Sequence, residues 1–128
     1  MFNIRTALVA TTLLLGDGAV VIAADATTVM ELVMIEQPGC QWCARWNAEI
    51  APIYPKTPEA AQAPLRRIDL HGPMPDDLTL SRPAIFTPTF VLTVAGTEVS
   101  RIEGYPGPDF FWGLLDDMLS DAGGDVIN

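Results

Sequence analysis

Both cysteines of the chain, Cys40 and Cys43, stand close together in the stretch Glu36–Asn47 (EQPGCQWCARWN). A pair at this spacing can be a structural disulfide, part of a metal site or a redox-active dithiol. A disulfide that closes a four-residue ring gains only about 2 kcal/mol, against about 4.7 kcal/mol for a hundred-residue loop. As the sole cross-link of the chain the pair would stabilise little, so a purely structural role is disfavoured.

The metal interpretation lacks ligands. Structural zinc sites use four Cys or His ligands, whereas this chain offers two cysteines and one histidine, His71. Two thiolates are enough to hold Cu(I), and a copper-binding module that uses Cys40 and Cys43 stays open as an alternative. Our prediction is that the chain has no metal site and needs no organic cofactor.

The position of the pair favours redox chemistry. Cys40 follows Pro38-Gly39, which breaks the chain after an apolar run, and stands at the first turn of the next predicted helix. Free amide donors and the helix dipole at such a place favour an anion and lower the pKa of a thiol. Cys40 is therefore the predicted nucleophile, since the thiolate is the attacking species. Cys43, one turn further on the same face, can attack the mixed disulfide formed by Cys40 and release the product.

The elements that must position this pair can be predicted from apolar patterns and from the breaks between them. Four segments predict strands: residues 29–35, 65–70, 89–94 and 98–103. Two segments predict helices: residues 41–51, and the segment from Pro108 to the stop at Gly123-Gly124. The proline-rich stretch 71–86 is predicted to be irregular, with at most a short helix over 76–80.

This order is β–α–β followed by β–β–α. A right-handed crossover makes the first two strands parallel, while the hairpin around Gly96 adds an antiparallel pair. We therefore predict an α/β sandwich with a central mixed sheet of about four strands and helices on both faces. Six apolar residues of the last helix are predicted to face the core: Phe110, Phe111, Leu114, Leu115, Met118 and Leu119.

The first residues have the pattern of a secretory signal peptide. A cation, an apolar run over 6–15 and the small residues Ala23, Ala24 and Ala26 follow one another in the order that such peptides take. The run has about half the length needed to span a bilayer, so we predict a cleaved signal peptide over 1–26 and one domain over 27–128. An exported domain would work in an oxidising compartment, where reduced thiols need a dedicated electron supply.

The net charge of the predicted domain disfavours two classes of binding partner. Residues 27–128 carry six basic and fourteen acidic side chains, a net charge of about −8. Nucleic acid and anionic membrane surfaces are therefore disfavoured as partners.

A second motif, Thr87-Pro88, directly precedes the predicted strand over 89–94. With it and the segment PGCQWC, the chain resembles the thioredoxin superfamily over residues 29–121. More narrowly, it is similar to the periplasmic SoxS-type thioredoxins found with sulfur-oxidation genes. These carry a Pro-Gly-Cys-x-aromatic-Cys motif, matched here with Trp42 as the aromatic residue. The segments YPKTP (54–58) and APLRR (63–67) also resemble that group.

The resemblance implies a thioredoxin-like fold and a protein-disulfide reductase. Cys40 would attack, Cys43 would resolve, and Pro88 would be a cis-proline that faces the pair. Thr87 would offer backbone hydrogen bonds to an extended substrate segment, as in strand addition. Trp42, together with Gln41, would belong to the substrate-binding surface.

The partners follow from the same resemblance. The oxidised substrate would be the carrier protein of a sulfur-oxidising complex, and electrons would come from a membrane transporter of the CcdA or DsbD type. The chain is expected to act as a monomer. A disulfide oxidant or isomerase of the DsbA or DsbC type is the alternative within the same class.

The chain departs from common thioredoxins at two points. Many thioredoxins have a buried carboxylate six residues before the first cysteine, where this chain has Met34. Glu31 or Glu36 could substitute for it, although Glu31 is more simply a strand residue and Glu36 a solvated strand end. The dipeptide between the cysteines is Gln-Trp in place of Gly-Pro. The sequence also leaves open whether Arg45 lowers the pKa of a thiol or is merely solvated, whereas Trp46 is expected to pack in the core.

Overall fold

The computed structural model describes residues 29–124, so the predicted signal peptide over 1–26 lies outside the described residues. The described part forms four strands, three helices and one short 3-10 turn at Tyr54–Lys56. The strands are β1 (Met30–Glu36), β2 (Leu65–Asp69), β3 (Thr89–Val94) and β4 (Thr97–Glu103). The helices are α1 (Gln41–Glu49), α2 (Pro58–Gln62) and α3 (Pro108–Asp121). The predicted strands and both predicted helices are confirmed, with ends that move by one or two residues.

The strands form one mixed sheet in the order β2-β1-β3-β4. β1 pairs with β2 in parallel and β3 pairs with β4 antiparallel, as predicted from the crossover and the hairpin. The antiparallel pairing of β1 with β3, which joins these two halves, was not predicted. Because Ile35 at the end of β1 lies opposite Thr89 at the start of β3, the segments that follow β1 and precede β3 meet at one edge of the sheet. This register brings the cysteine motif and Thr87-Pro88 together.

Helices α1 and α3 pack on one face of the sheet. Alternate residues of the two central strands point into this larger core, and Trp46 at its centre lies against the rings of Tyr54, Phe90 and Phe111. The core therefore anchors α1 from beneath. The prediction that Trp46 is a core residue is confirmed.

The other face of the sheet was expected to be covered by a helix, but in the described residues an irregular segment covers it. Val33, Ile35 and Val91 are buried there against Leu78 of the proline-rich segment 71–86. No helix forms over 76–80, because the backbone of Thr79 instead bonds to the β3–β4 hairpin through Gly96. The thioredoxin-like α/β class stands, but an irregular segment takes the place of a helix on this face.

Helix α3 buries fewer of its apolar residues than predicted. Phe111, Leu115, Met118 and Leu119 are buried as predicted. Phe110 is 71% exposed and Leu114 is exposed as well. A helix that packs against a sheet buries one stripe of about 100°, and these two residues lie beside that stripe, so their assignment to the core was wrong.

An acidic contact joins α2 to α3. Glu59 is buried, and one carboxylate oxygen of Asp116 is buried with no hydrogen-bond partner among the described residues. Burial, followed by the proximity of Glu59, raises the pKa of Asp116 above its ordinary value. The folded state thus keeps the Asp116 proton to higher pH than the unfolded state. Through that interval, this group makes the fold less stable as the pH rises.

We expect Asp116→Asn to raise the free energy of unfolding at neutral pH by about 0.5–2 kcal/mol, as other optimised charges do. The amide does not ionise, so the gain should shrink as the pH falls towards the ordinary carboxyl pKa of about 4. Urea unfolding of both proteins across this pH range measures the difference. Asp76→Asn in an exposed loop is the control, and an equal gain from it would point to net charge instead of the contact.

Candidate active site

Cys40 caps the N-terminus of α1. Gly39 turns the chain with a positive φ of 76°, and Cys40 itself is extended, with φ −77° and ψ 107°. Its Sγ accepts a hydrogen bond from the backbone N–H of Cys43 at 3.1 Å. An N-cap side chain normally satisfies one of the free amides of the first turn, and here a sulfur does so. The same amide would stabilise a thiolate on Cys40 once the pair is reduced.

The two cysteines form a disulfide, with Cα atoms 5.2 Å apart. Their exposure is unequal: Cys43 is 3% exposed, whereas Cys40 is partly exposed at the sheet edge. Trp46, one turn after Cys43, fixes this face of α1 in the core. Only Cys40 therefore presents its sulfur to a large partner.

Thr87 and Pro88 lie where the register places them. The Thr87–Pro88 peptide bond is cis, Pro88 is buried and Thr87 is partly buried. Gln37, three residues before Cys40, donates from Nε2 to Thr87 Oγ1 at 2.8 Å. The amide oxygen of Gln37 lies 2.9 Å from Nε2 of His71 and, being an acceptor, receives a hydrogen bond from that ring. This bridge ties the loop before the cysteines to the loop before β3.

We expect Gln37→Ala to lower the free energy of unfolding by about 1 kcal/mol, since it removes a partly buried hydrogen bond. It should also slow the reduction of a protein disulfide more than that of a small disulfide, because the two loops lose their fixed spacing. Urea unfolding and steady-state rates measure these effects. His71→Ala removes only the outer bond and is the matched control, so equal losses from both variants would contradict the bridge.

Trp42 is 48% exposed beside the pair, as expected. With Phe86, Thr87, Glu103 and Gly104 it lines a shallow groove of about 360 Å³. Phe86 is 60% exposed. Gln41, at the first position of α1, is exposed but does not line this groove. Two of the residues that line the groove, Trp42 and Phe86, are aromatic, and a third, Thr87, directly precedes Pro88.

Met34 is fully buried at the position where many thioredoxins have a carboxylate. Of the two possible substitutes, Glu31 pairs with Arg66 at 3.5 Å and belongs to the alternate set of β1 side chains. Glu36 shares the side of Met34 and pairs with Arg67 at 2.9 Å. The carboxylate of Glu36 is therefore part of an ion pair, in contrast to the solvated strand end that we expected.

Among the described residues, Arg45 forms no hydrogen bond or ion pair with either cysteine and belongs instead to a cluster of its own. Its Nε donates to Glu49 Oε1 at 2.9 Å, and Tyr105 donates its hydroxyl to Glu49 Oε2 at 2.6 Å. The Tyr105 hydrogen bond, and then that from Arg45, hold the pKa of Glu49 below its usual value. The Arg45 guanidinium also lies 5.6 Å from the ring centroid of Trp42.

Sequence reasoning did not find several of these residues: Gln37, Glu49, Phe86, Glu103, Gly104 and Tyr105. Only Phe86 had a usable signal, because it directly precedes Thr87-Pro88. The others enter the site through contacts between residues far apart in the chain, such as the 56 positions that separate Glu49 from Tyr105.

Within residues 29–124, no group of three or more His, Cys, Asp or Glu side chains comes together to hold a metal ion. No helix in the same part of the chain has the length and apolar character needed to cross a membrane.

Two solved structures are similar to the chain. One is the periplasmic thioredoxin SoxS from Paracoccus pantotrophus in its reduced form, with 53% identity and a TM-score of 0.71 over 73% of this chain and 98% of that one. The other is a thioredoxin of Malassezia sympodialis, 16% identical over 71% of this chain and 76% of that one, with a TM-score of 0.48. No protein-family model and no curated protein matches the chain.

Proposed function

Since the chain belongs to the SoxS-type periplasmic thioredoxins and is a thiol–disulfide oxidoreductase, we propose that it works as a reductant of a disulfide in a partner protein. The observation that carries this proposal is the asymmetry of the pair. Cys40 is partly exposed and accepts an amide hydrogen bond at a helix N-terminus, while Cys43 is buried one turn further on. One sulfur is suited to attack a partner, and the other to release it.

In the first step, the Cys40 thiolate attacks one sulfur of the partner disulfide. A new S–S bond joins Cys40 to the partner, the partner's own S–S bond breaks, and its second sulfur leaves as a thiolate. Cys43 then loses its proton and attacks Sγ of Cys40, which closes the Cys40–Cys43 disulfide and releases the first partner sulfur. The partner gains two electrons and two protons, and the pair is oxidised.

The return step needs a dithiol donor. We propose a membrane transporter of the CcdA or DsbD type, because an oxidising compartment has no thiol pool of its own to keep the pair reduced. The proposed location is the periplasm, reached through a signal peptide over 1–26, and the proposed form is a monomer. The similar protein from Paracoccus pantotrophus is a periplasmic thioredoxin, which supports this location.

The substrate we propose is the carrier protein of a sulfur-oxidising complex. The similarity to SoxS-type thioredoxins supports it. An extended segment of this carrier would lie in the groove beside Trp42, with backbone hydrogen bonds to Thr87. Cys40, Cys43, Gln41, Trp42, Thr87 and Pro88 are the proposed site residues.

The reduction potential of the pair tests the direction of electron flow. Equilibration against thiol–disulfide buffers, followed by alkylation and mass analysis, should give a value near or below about −230 mV, in the range of thioredoxins and glutaredoxins. A value near the roughly −120 mV of DsbA would make the protein an oxidant and overturn the proposal. Bound copper on the reduced protein, without disulfide exchange, would support the Cu(I)-binding alternative.

A further inference from the structure

The guanidinium of Arg45 is held between two aromatic rings. It lies 5.6 Å from the ring centroid of Trp42 and 5.8 Å from that of Tyr105, both within the range of a cation–π contact. Glu49 fixes it from the side through Nε at 2.9 Å. Because Arg45 and Glu49 are one turn apart on α1, the pair aligns along the helix surface.

Tyr105 anchors this arrangement to the core. Its hydroxyl donates to the second oxygen of Glu49 at 2.6 Å, while its ring packs edge-on against the buried Phe111, with centroids 6.2 Å apart. An isolated exposed ion pair contributes little to stability. Here, however, both carboxylate oxygens of Glu49 accept hydrogen bonds, one from Arg45 and one from the buried Tyr105. The position of Arg45 is thus set by the core as well as by solvent-exposed charges.

Trp42 is the exposed end of this chain of contacts. Its indole lines the groove together with Phe86, Thr87, Glu103 and Gly104. The carboxylate of Glu103 is paired with Arg82 at 2.6 Å, which leaves the two aromatic rings as the main apolar surface of the groove. A half-exposed tryptophan on the first turn of a helix has several accessible rotamers. The stacked guanidinium restricts this choice, so the width of the groove depends on Arg45, and through it on Glu49 and Tyr105.

We propose that Arg45, Glu49 and Tyr105 form a clamp that fixes the Trp42 indole as a groove wall and thereby selects protein substrates with an apolar side chain next to their disulfide. This proposal rests on the proposed function, since it names a preference of the same site. Arg45, Glu49 and Tyr105 are positioning residues, because they act on the substrate through Trp42 alone. The sequence left open whether Arg45 lowers the pKa of a thiol or is merely solvated. In the clamp it does neither, because its guanidinium lies against the Trp42 indole.

The test uses two disulfide-linked peptides that differ only in the residue beside the cystine, leucine in one and serine in the other. Glu49→Gln removes the charge that holds Arg45, and Tyr105→Phe removes the anchoring hydroxyl but keeps the ring. Asp77→Asn is the matched control, because Asp77 is an exposed carboxylate that accepts two hydrogen bonds from Arg66 away from the groove. Rates are measured with the reduced full domain and compared as kcat and KM.

The wild-type protein should favour the leucine peptide about ten-fold, as apolar pockets discriminate by side-chain size. Glu49→Gln and Tyr105→Phe should each reduce this preference about two- to five-fold, the worth of an exposed cation–π contact. The change should lie in KM for the leucine peptide, and Asp77→Asn should keep the wild-type ratio. In fluorotryptophan-labelled protein, the Trp42 resonance should shift in both clamp variants while that of Trp46 stays in place.

Each contrary result has its own meaning. If the wild-type protein reduces both peptides equally, or if the clamp variants keep its preference, the clamp is overturned and the reductase function stands. The clamp is also overturned if the variants lose kcat equally for both peptides, or if the Trp42 resonance does not move. If the wild-type protein reduces neither peptide, the reductase function fails first and the clamp with it.

Discussion

Cys40→Ser is expected to lower the rate of protein-disulfide reduction at least about 10³-fold, the loss typical when a covalent nucleophile is removed. A serine hydroxyl at the α1 N-cap can accept the same amide hydrogen bond that Cys40 Sγ now accepts from Cys43. The fold should therefore persist while the attacking sulfur is gone. Cys43→Ser should behave differently, because it leaves Cys40 able to attack but removes the sulfur that resolves the mixed disulfide.

A single experiment separates the two roles. Each reduced variant is mixed with insulin as a model protein disulfide, free thiols are alkylated, and the products are identified by mass. Cys43→Ser should accumulate a covalent adduct of about one partner chain per molecule, and Cys40→Ser should accumulate none. An adduct on Cys43 in the Cys40→Ser variant would reverse the assignment. Ala44→Ser, at an exposed position of the same helix, is the control and should reduce insulin at the wild-type rate.

The element order, two of the three strand pairings and the place of the cysteine pair could be predicted because their signals are local. A Pro-Gly break after an apolar run ends β1, and the two cysteines fall at the start of the next helix whatever the rest of the chain does. The i+3 spacing of Cys43 and the further turn to Trp46 put both on the buried side of α1. Parallel and antiparallel pairing then follow from the lengths of the connections.

The contacts that complete the site are long-range, and no local pattern encodes them. The hydrogen bond from Gln37 to Thr87 spans 50 positions. It exists only because β1 and β3 are antiparallel neighbours in one register. In the same way, the sequence does not show whether Arg45, on an exposed helix face, is solvated or paired. Arg45 is paired with Glu49, whose carboxylate is held in place by a hydrogen bond from Tyr105 in the segment after β4.

Burial in α3 was predicted wrongly for two residues, because adjacent apolar residues in this helix fit either of two neighbouring buried faces. In α3 the pairs Phe110/Phe111 and Leu114/Leu115 are equally apolar, and the sheet covers only the second member of each pair. The prediction of a short helix in the proline-rich segment was wrong for a different reason. Leu78 anchors it by burial and Thr79 by backbone hydrogen bonds to the hairpin, so it covers the sheet without regular structure.

Trp46→Ala is expected to lower the free energy of unfolding by about 3–5 kcal/mol, as truncation of large buried aromatic residues does. Trp46 is fully buried, and its ring centroid lies 5.2 Å from that of Phe90 and 5.7 Å from that of Phe111. An alanine leaves a cavity between α1 and the sheet that these rings cannot fill without moving. Because small domains are stable by only about 5–15 kcal/mol, the variant should be largely destabilised in urea unfolding of the oxidised protein.

Two companion variants identify the cause of that loss. The indole N–H of Trp46 is buried without a hydrogen-bond partner among the described residues, so Trp46→Phe gives up no such bond and should cost less than about 2 kcal/mol. Trp42→Ala, on the exposed turn beside the cysteines, should change the free energy of unfolding by about 1 kcal/mol or less yet raise KM for a protein disulfide. Equal unfolding losses for Trp42→Ala and Trp46→Ala would show that the two residues share a structural role, and the division between an anchored core tryptophan and a substrate-facing one would then be untenable.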